Sequence, residues 1–217
     1  AILHEYLGGE AGPSAVWEVL TGQYNPSGRL AESYPLTEAD IPFDNEFPEI
    51  KRNAYYKESI FVGYRYYETA GVKVKYPFGY GLSYTTFAYS NLTIDDQGVS
   101  LDVSNTGKVA GRETVQLYIG KKDSPLIRAK RELKGWTQVD LDAGETKRVT
   151  VPFDEYTFRY FDPNLGSWQE EKGRYQIMLG QNVGEILLTG EYDLKRGIAP
   201  EVKETSSYQK YREGKLL

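Results

Sequence analysis

Between residues 91 and 194 apolar side chains recur at every second position, and this alternation limits the fold more than any other feature of the chain. Val99, Leu101 and Val103 alternate with polar residues. So do Val115, Leu117 and Ile119, then Val149, Val151 and Phe153, then Tyr175, Ile177 and Leu179, and finally Ile186 and Leu188. A side-chain period of two belongs to a strand with one buried and one wet face. Between the runs stand Asp96-Gln97-Gly98, Asn105-Thr106-Gly107, Asp142-Ala143-Gly144, Asn164-Leu165-Gly166 and Asn182-Val183-Gly184. Asn, Asp and Gly reach turn conformations closed to most residues. About seven short strands over roughly 100 residues predict an immunoglobulin-like β-sandwich. Trp136 and Trp168 are expected in its core or on a sheet face. The chain has no cysteine, so disulfides and thiolate metal sites are excluded.

The first 30 residues follow a different period. Pro13 suits the first turn of a helix, where its missing N–H costs nothing. Ala15, Val16, Val19 and Leu20 follow at helical spacing, Gly22 suits the left-handed position just past the helix end, and Asn25-Pro26-Ser27-Gly28 is a turn. One αβ unit cannot bury its own apolar faces. Residues 1–50 are therefore expected to be the C-terminal remnant of a larger α/β sandwich domain, and the opening Ala1-Ile2-Leu3, without Met, points to a processed or excised segment. Residues 51–90 read as an aromatic-rich linker strap: from Tyr55 to Tyr89 there are 12 aromatic residues in 35. Tyrosine buries a ring while its hydroxyl keeps a partner, so packing is favoured over sugar stacking. Truncating Phe61 or Phe78 is expected to damage folding before binding. Residues 195–217, with Lys195, Arg196, Lys203, Lys210, Arg212 and Lys215, read as a polar tail that Tyr208, Tyr211, Leu216 and Leu217 could anchor.

Several function classes drop out. The 26 Lys and Arg residues against 31 Asp and Glu give a net charge of −5, which argues against a nucleic-acid partner. A single histidine, His4, rules out a multi-histidine metal site, and no metal or cofactor is expected. No run of about 18 apolar residues is present, so neither a membrane-spanning helix nor a membrane partner is expected. The lack of cysteine and of a visible leader favours the cytoplasm over secretion, and the Asn91-Leu92-Thr93 sequon is expected to go unused. Gly79-Tyr80-Gly81 lacks the flanking strand and helix of a dinucleotide loop and is read as a turn.

Four stretches then resemble a known family, in the same order and spacing. Gly22-Gln23-Tyr24-Asn25-Pro26-Ser27-Gly28-Arg29-Leu30, the segment Tyr56 to Tyr67 around Val62-Gly63-Tyr64-Arg65-Tyr66-Tyr67, and Tyr76-Pro77-Phe78-Gly79-Tyr80-Gly81-Leu82-Ser83-Tyr84-Thr85-Thr86-Phe87 are similar to glycoside hydrolase family 3. Val103-Ser104-Asn105-Thr106-Gly107 with Gly111 and Val115-Gln116-Leu117-Tyr118 resembles the fibronectin type III-like domain attached to many of these enzymes. The resemblance implies a mainly β chain: a fibronectin type III-like sandwich over 91–194, preceded by the last αβ portion of an α/β sandwich domain. It implies as partners the remaining barrel and α/β domains of the same enzyme, and as substrate a β-linked oligosaccharide or aryl glucoside.

Retaining glycosidases work with two carboxyl groups about 5–5.5 Å apart. In family 3 the nucleophilic Asp stands in a Ser-Asp-Trp context on the barrel, and the acid/base Glu in an upstream loop. Here Trp17, Trp136 and Trp168 follow Val16, Gly135 and Ser167, so the resemblance places no catalytic residue in this chain. Glu10 and Glu58 are the carboxylates that invite an acid/base or sugar-binding reading. Against it, Glu10 suits a helix N-terminus and Glu58 suits an ion pair with Arg65. Tyr64, Arg65 and Tyr66 join them as pocket-rim or interface candidates. His4 is expected to be a satisfied polar residue near a domain edge. Lys121, Lys122, Arg128, Lys130, Arg131 and Lys134 are read as a solvated sheet edge that discourages aggregation. The chain is thus expected to be the structural portion of a retaining β-glycosidase for glucosyl or xylosyl groups, inactive by itself. The alternative is a non-catalytic carbohydrate-binding or protein-interaction module.

Overall fold

Helix α1 (Gly12–Leu20) opens the fold, with Pro13 in its first turn. Gly22, just beyond its end, takes φ +76°, a conformation that strains any residue with a Cβ. Only Gly12 of this helix is buried. The structure, a computed structural model, describes residues 2–44, 56–202, 209–210 and 215. The strap residue Tyr55, the 50/51 boundary, and Lys203, Tyr208, Tyr211, Arg212, Leu216 and Leu217 lie outside the described residues.

Strand β1 (Tyr34–Pro35) pairs with β2 (Val74–Tyr76), which brings the end of the strap back against the segment after α1. Between them lies α2 (Tyr64–Ala70), which begins after Gly63 and ends at Gly71, φ +71°. The sequence reading did not foresee α2. Tyr64 and Tyr67 are its buried residues, with Phe61 buried just before it, and two rings over two turns are too few to establish a period.

The sandwich begins with β3 (Phe87–Asp95), so its first strand takes in four residues that precede the alternating segment. β4 (Gly98–Asn105), β5 (Gly111–Gly120), β6 (Glu132–Leu141) and β7 (Thr146–Pro152) follow. A protruding hairpin, β8 (Arg159–Asp162) and β9 (Ser167–Glu170), precedes β10 (Gly173–Asn182) and β11 (Glu185–Leu194). One sheet has the order β3-β4-β7 and the other β11-β10-β5-β6. The chain changes sheet after β4, after β6 and after β7, the sheet-switching connectivity of an immunoglobulin-like sandwich.

The register puts Leu101 of β4 opposite Val149, and Leu117 of β5 opposite Leu179. The alternating residues thereby meet between the sheets. Val99, Leu101, Val103, Val115, Leu117, Ile177 and Leu179 are fully buried there, with Phe158 and Tyr175 closing one end. Each such side chain contributes about 1.5–3 kcal/mol through removal from water. The two tryptophans are not core: Trp136 on β6 and Trp168 on β9 are both mostly exposed.

The four-stranded sheet is covered on its outer face as well. Tyr64 and Phe78 of the strap pack with Tyr118, Leu133, Met178, Val183 and Ile186. The rings of Tyr64 and Phe78 are stacked 4.6 Å apart. As a result residues 113–120 of β5 are buried without a break, a pattern typical of strands covered on both sides. Phe78 is only partly buried, so Phe78→Ala should cost about 2 kcal/mol, below the 3–5 typical of a fully enclosed ring. An unchanged urea midpoint for that variant would show that the strap ring contributes nothing to folding.

Candidate functional site

Arg29 converges with Tyr89 and Gln181 on one buried carboxylate, that of Glu113, while Asn25 ties the same turn to the strap and to the residues before β5. Glu113 lies on β5 in phase with Val115 and Leu117, and its exposure is 0 %. Arg29 Nη2 donates to its Oε2 at 2.5 Å, while the Tyr89 hydroxyl and Gln181 Nε2 donate to Oε1 at 2.6 and 3.0 Å. Burial, reinforced by this carboxylate, pushes the Tyr89 phenol far above its ordinary pKa, so it stays a neutral donor. Arg29 Nη1 donates to the Gly81 carbonyl at 2.6 Å. Asn25 Oδ1 accepts from Ser83 Oγ and the Tyr84 amide, and its Nδ2 donates to the Ala110 carbonyl. The Leu30 amide donates to Tyr80 O and the Gly79 amide to Leu30 O, both at 2.8 Å. Gln116 Nε2 donates to the Gly79 and Gln181 carbonyls. A carboxylate saturated by three donors and closed to solvent cannot meet a substrate. Its chemistry is that of a fastener between strap and sandwich.

A second buried carboxylate organises the basic cluster. Glu171, 2 % exposed, accepts from Ser124 Oγ at 2.8 Å and lies 3.9 Å from Lys121 Nζ and 3.6 Å from Arg128 Nε. Lys121 Nζ stands 4.8 Å above the Tyr175 ring and donates to the Lys172 carbonyl. Arg131 faces Glu68 of α2 at 3.4 Å, and Lys134 faces Glu132 at 3.7 Å. The solvated-edge reading is therefore corrected for four of the six cations. Lys121, Arg128 and Arg131 of the β5–β6 loop and Lys134 of β6 pair inward, because the loop folds over acids from α2 and from the residues just before β10, whereas Lys122 and Lys130 stay exposed.

The residues singled out in the sequence do not assemble into one site. Glu10 is exposed before α1 and makes no hydrogen bond or ion pair among the described residues. The carboxylate that packs into the glycine-rich loop is that of Glu5, which the sequence did not mark as a site residue. A Cβ added at Gly8 or Gly12 would collide with its Oε1. Glu58 does not pair with Arg65. Arg65 Nε faces Glu132 at 3.5 Å, and its guanidinium lies over the Tyr64 ring. The Tyr64 hydroxyl accepts from the Leu133 amide at 2.9 Å. Tyr66 is half-buried, edge-on to Tyr67 at 5.3 Å. His4 Nδ1 is hydrogen-bonded to the Tyr34 hydroxyl at 3.2 Å, and its ring packs on Tyr6. Asn91 of the sequon sits on a bulge of β3 with φ +53°, its Nδ2 donating to Asp102 Oδ2 at 2.7 Å.

Glu113 and Glu171 were the groups missed. A usable signal existed. Glu113 is in phase with Val115, Leu117 and Ile119, and Glu171 with Tyr175, Ile177 and Leu179, so each acid occupies a core-facing register. Among the described residues no group of His, Cys, Asp and Glu is placed to hold a metal ion, and no helix is long and apolar enough to cross a membrane.

Residues 1–84 match the glycosyl hydrolase family 3 C-terminal domain, and residues 113–183 match the fibronectin type III-like domain. The chain belongs to glycoside hydrolase family 3. This family 3 chain is 41 % identical over 196 residues to thermostable beta-glucosidase B of Acetivibrio thermocellus, covering 87 % of the chain and 26 % of that protein. It is 41 % identical over 193 residues to an exo-alpha-(1->6)-L-arabinopyranosidase of Bifidobacterium breve, with the same two coverages. The crystal structure of a family 3 beta-glucosidase from Bifidobacterium adolescentis superposes with a TM-score of 0.82 at 35 % identity, over 91 % of this chain and 30 % of that one. The family 3 chain thus spans about a quarter of the length of the curated relatives it matches. Its stretches resembling family motifs, Asn25 to Leu30 and Phe78 to Tyr84, are hydrogen-bonded to each other, and the first supplies Arg29 to Glu113.

Proposed function

We propose that the chain is the C-terminal structural portion of a retaining β-glycosidase. The enzyme hydrolyses terminal non-reducing β-D-glucosyl, or xylosyl, groups of oligosaccharides and aryl glycosides, and its catalytic Asp and Glu lie outside these 217 residues. One observation carries the reading: the αβ segment presents large apolar side chains that none of the described residues covers. Leu7 is 100 % exposed, Trp17 64 % and Leu20 67 %, with Ile2 and Tyr6 beside them in sequence and also exposed. Large apolar side chains exposed in this number within 20 residues mark an interface, and the remaining α/β and barrel domains of the enzyme are its partners. The Glu113 fastener holds the sandwich to that segment, so the chain braces the catalytic domains. The naming of relatives as beta-glucosidases supports the glucosyl assignment. The arabinopyranosidase relative warns that the sugar is set elsewhere.

The chain alone should give no turnover of a chromogenic aryl β-glucoside. Turnover comparable with an intact glycosidase would overthrow the assignment of the catalytic pair to other residues. The second reading, a carbohydrate-binding or interaction module, has one observation of its own. Tyr156, Phe161 and Trp168 are exposed around the β8–β9 hairpin, with ring centroids 5.7–5.8 Å from that of Trp168. Calorimetric binding of cellobiose without turnover, abolished by Trp168→Ala, would favour that module over the bracing role.

A further inference from the structure

The β5–β6 loop, the end of α2 and the strap-side face of β10 enclose a cavity of about 290 Å³. Lys121, Lys122, Arg128, Lys130 and Arg131 line it, with Gln176 on its floor. Among the described residues two carboxylates answer these five cations, Glu171 beside Lys121 and Arg128, and Glu68 beside Arg131. Asp123, in the same loop, is exposed and does not line the cavity. Lys122 and Lys130 have no acidic partner among the described residues. The buried Nε groups of Arg128 and Arg131 are turned to Glu171 and Glu68, at 3.6 and 3.4 Å, so three of the five positive charges have no carboxylate of their own.

The cations are also held in place. Lys121 side-chain exposure is 5 %, and Arg128 and Arg131 are nearly as enclosed. A guanidinium fixed in this way presents its donors in the fork that suits a planar or tetrahedral oxyanion. Thr69 Oγ1 accepts from the Lys130 amide, which ties the loop to α2 and closes that side of the cavity.

We propose that this cavity binds a phosphate-bearing small molecule. Its volume lies at the lower limit of ligand pockets, so the occupant is no larger than a sugar phosphate. The ammonium groups of Lys122 and Lys130, added to the enclosed Lys121, Arg128 and Arg131, supply the excess positive charge and the N–H donors that a dianionic oxyanion requires. The site is separate in sequence and in packing from the exposed αβ face, so it stands whether or not the bracing role holds.

The test is calorimetric titration of the 217-residue chain, in phosphate-free buffer at constant ionic strength, with inorganic phosphate and with glucose 6-phosphate. Glucose and potassium chloride are the controls. Saturable one-to-one binding of a phosphate compound is expected, with Tm raised by roughly 5–10 °C at about a hundred times Kd. Lys122 and Lys130 are exposed, so the double variant Lys122→Ala/Lys130→Ala should keep the unliganded Tm while weakening binding by about tenfold or more. Tighter glucose 6-phosphate identifies a sugar phosphate as the occupant, and equal or tighter inorganic phosphate identifies free phosphate; either keeps the site. A Tm response to chloride equal to that with phosphate, or undiminished binding by the double variant, would overturn it.

Discussion

Arg29→Met will lower the stability of the chain by about 3–5 kcal/mol, read as a shift of the urea midpoint. The residue is far from the sandwich in sequence, yet among the described residues its guanidinium is the one cation bonded to Glu113. Removing it leaves a carboxylate with 0 % exposure and no counter-charge, supported only by Tyr89 and Gln181. The same substitution frees the Gly81 carbonyl that Arg29 Nη1 occupies. The cost comes from stranding the acid rather than from any large intrinsic value of the pair. Arg29→Met combined with Glu113→Leu should therefore recover part of the loss. A double-mutant cycle reads this directly. A midpoint for Arg29→Met within error of the parent would mean that the fastener is decorative.

Glu171→Leu should cost a similar amount, about 3–5 kcal/mol, by the opposite imbalance. Here two enclosed cations lose their common anion, since Lys121 and Arg128 both lean on Glu171. The hydrogen bond from Ser124 Oγ to this carboxylate is lost as well. Leucine cannot replace those contacts, although it fits the apolar end formed by Tyr175 and Phe158. Arg128→Met on top of Glu171→Leu should restore part of the stability. Thermal melts of the two single variants and the double variant decide the matter. If Glu171→Leu melts with the parent, the β5–β6 loop is held by something other than this charge cluster.

The sandwich could be read from the sequence because its strands obey the period of two. Val99 to Val103, Val115 to Ile119 and Tyr175 to Leu179 all face the core that their alternation implies. β6 escaped because Leu133, Lys134, Gly135 and Trp136 break the pattern, with Leu133 packed under the strap and Trp136 turned to solvent. The β8–β9 hairpin escaped because its rings, Phe161 and Trp168, are exposed and carry no burial signal. The candidate site was harder. Glu10 and Glu58 drew notice because glycines and tyrosines surround them in the sequence, but neighbours in sequence do not set the environment of a carboxylate. Glu113 and Glu171 are deciding groups whose partners lie 84, 24 and 47 residues away. Their strand phase was visible, whereas the cations that make such a phase tolerable come from tertiary structure.

The double cover on β5 has a consequence for anyone who wishes to move this domain between proteins. A cut just before Phe87, where the first sandwich strand starts, strips the outer sheet face of Tyr64 and Phe78 and leaves Tyr118 and Met178 wet. It also orphans Glu113 by discarding Arg29. The transferable cassette therefore extends upstream through the strap to Arg29, and grafts trimmed to the strands alone will be prone to precipitate.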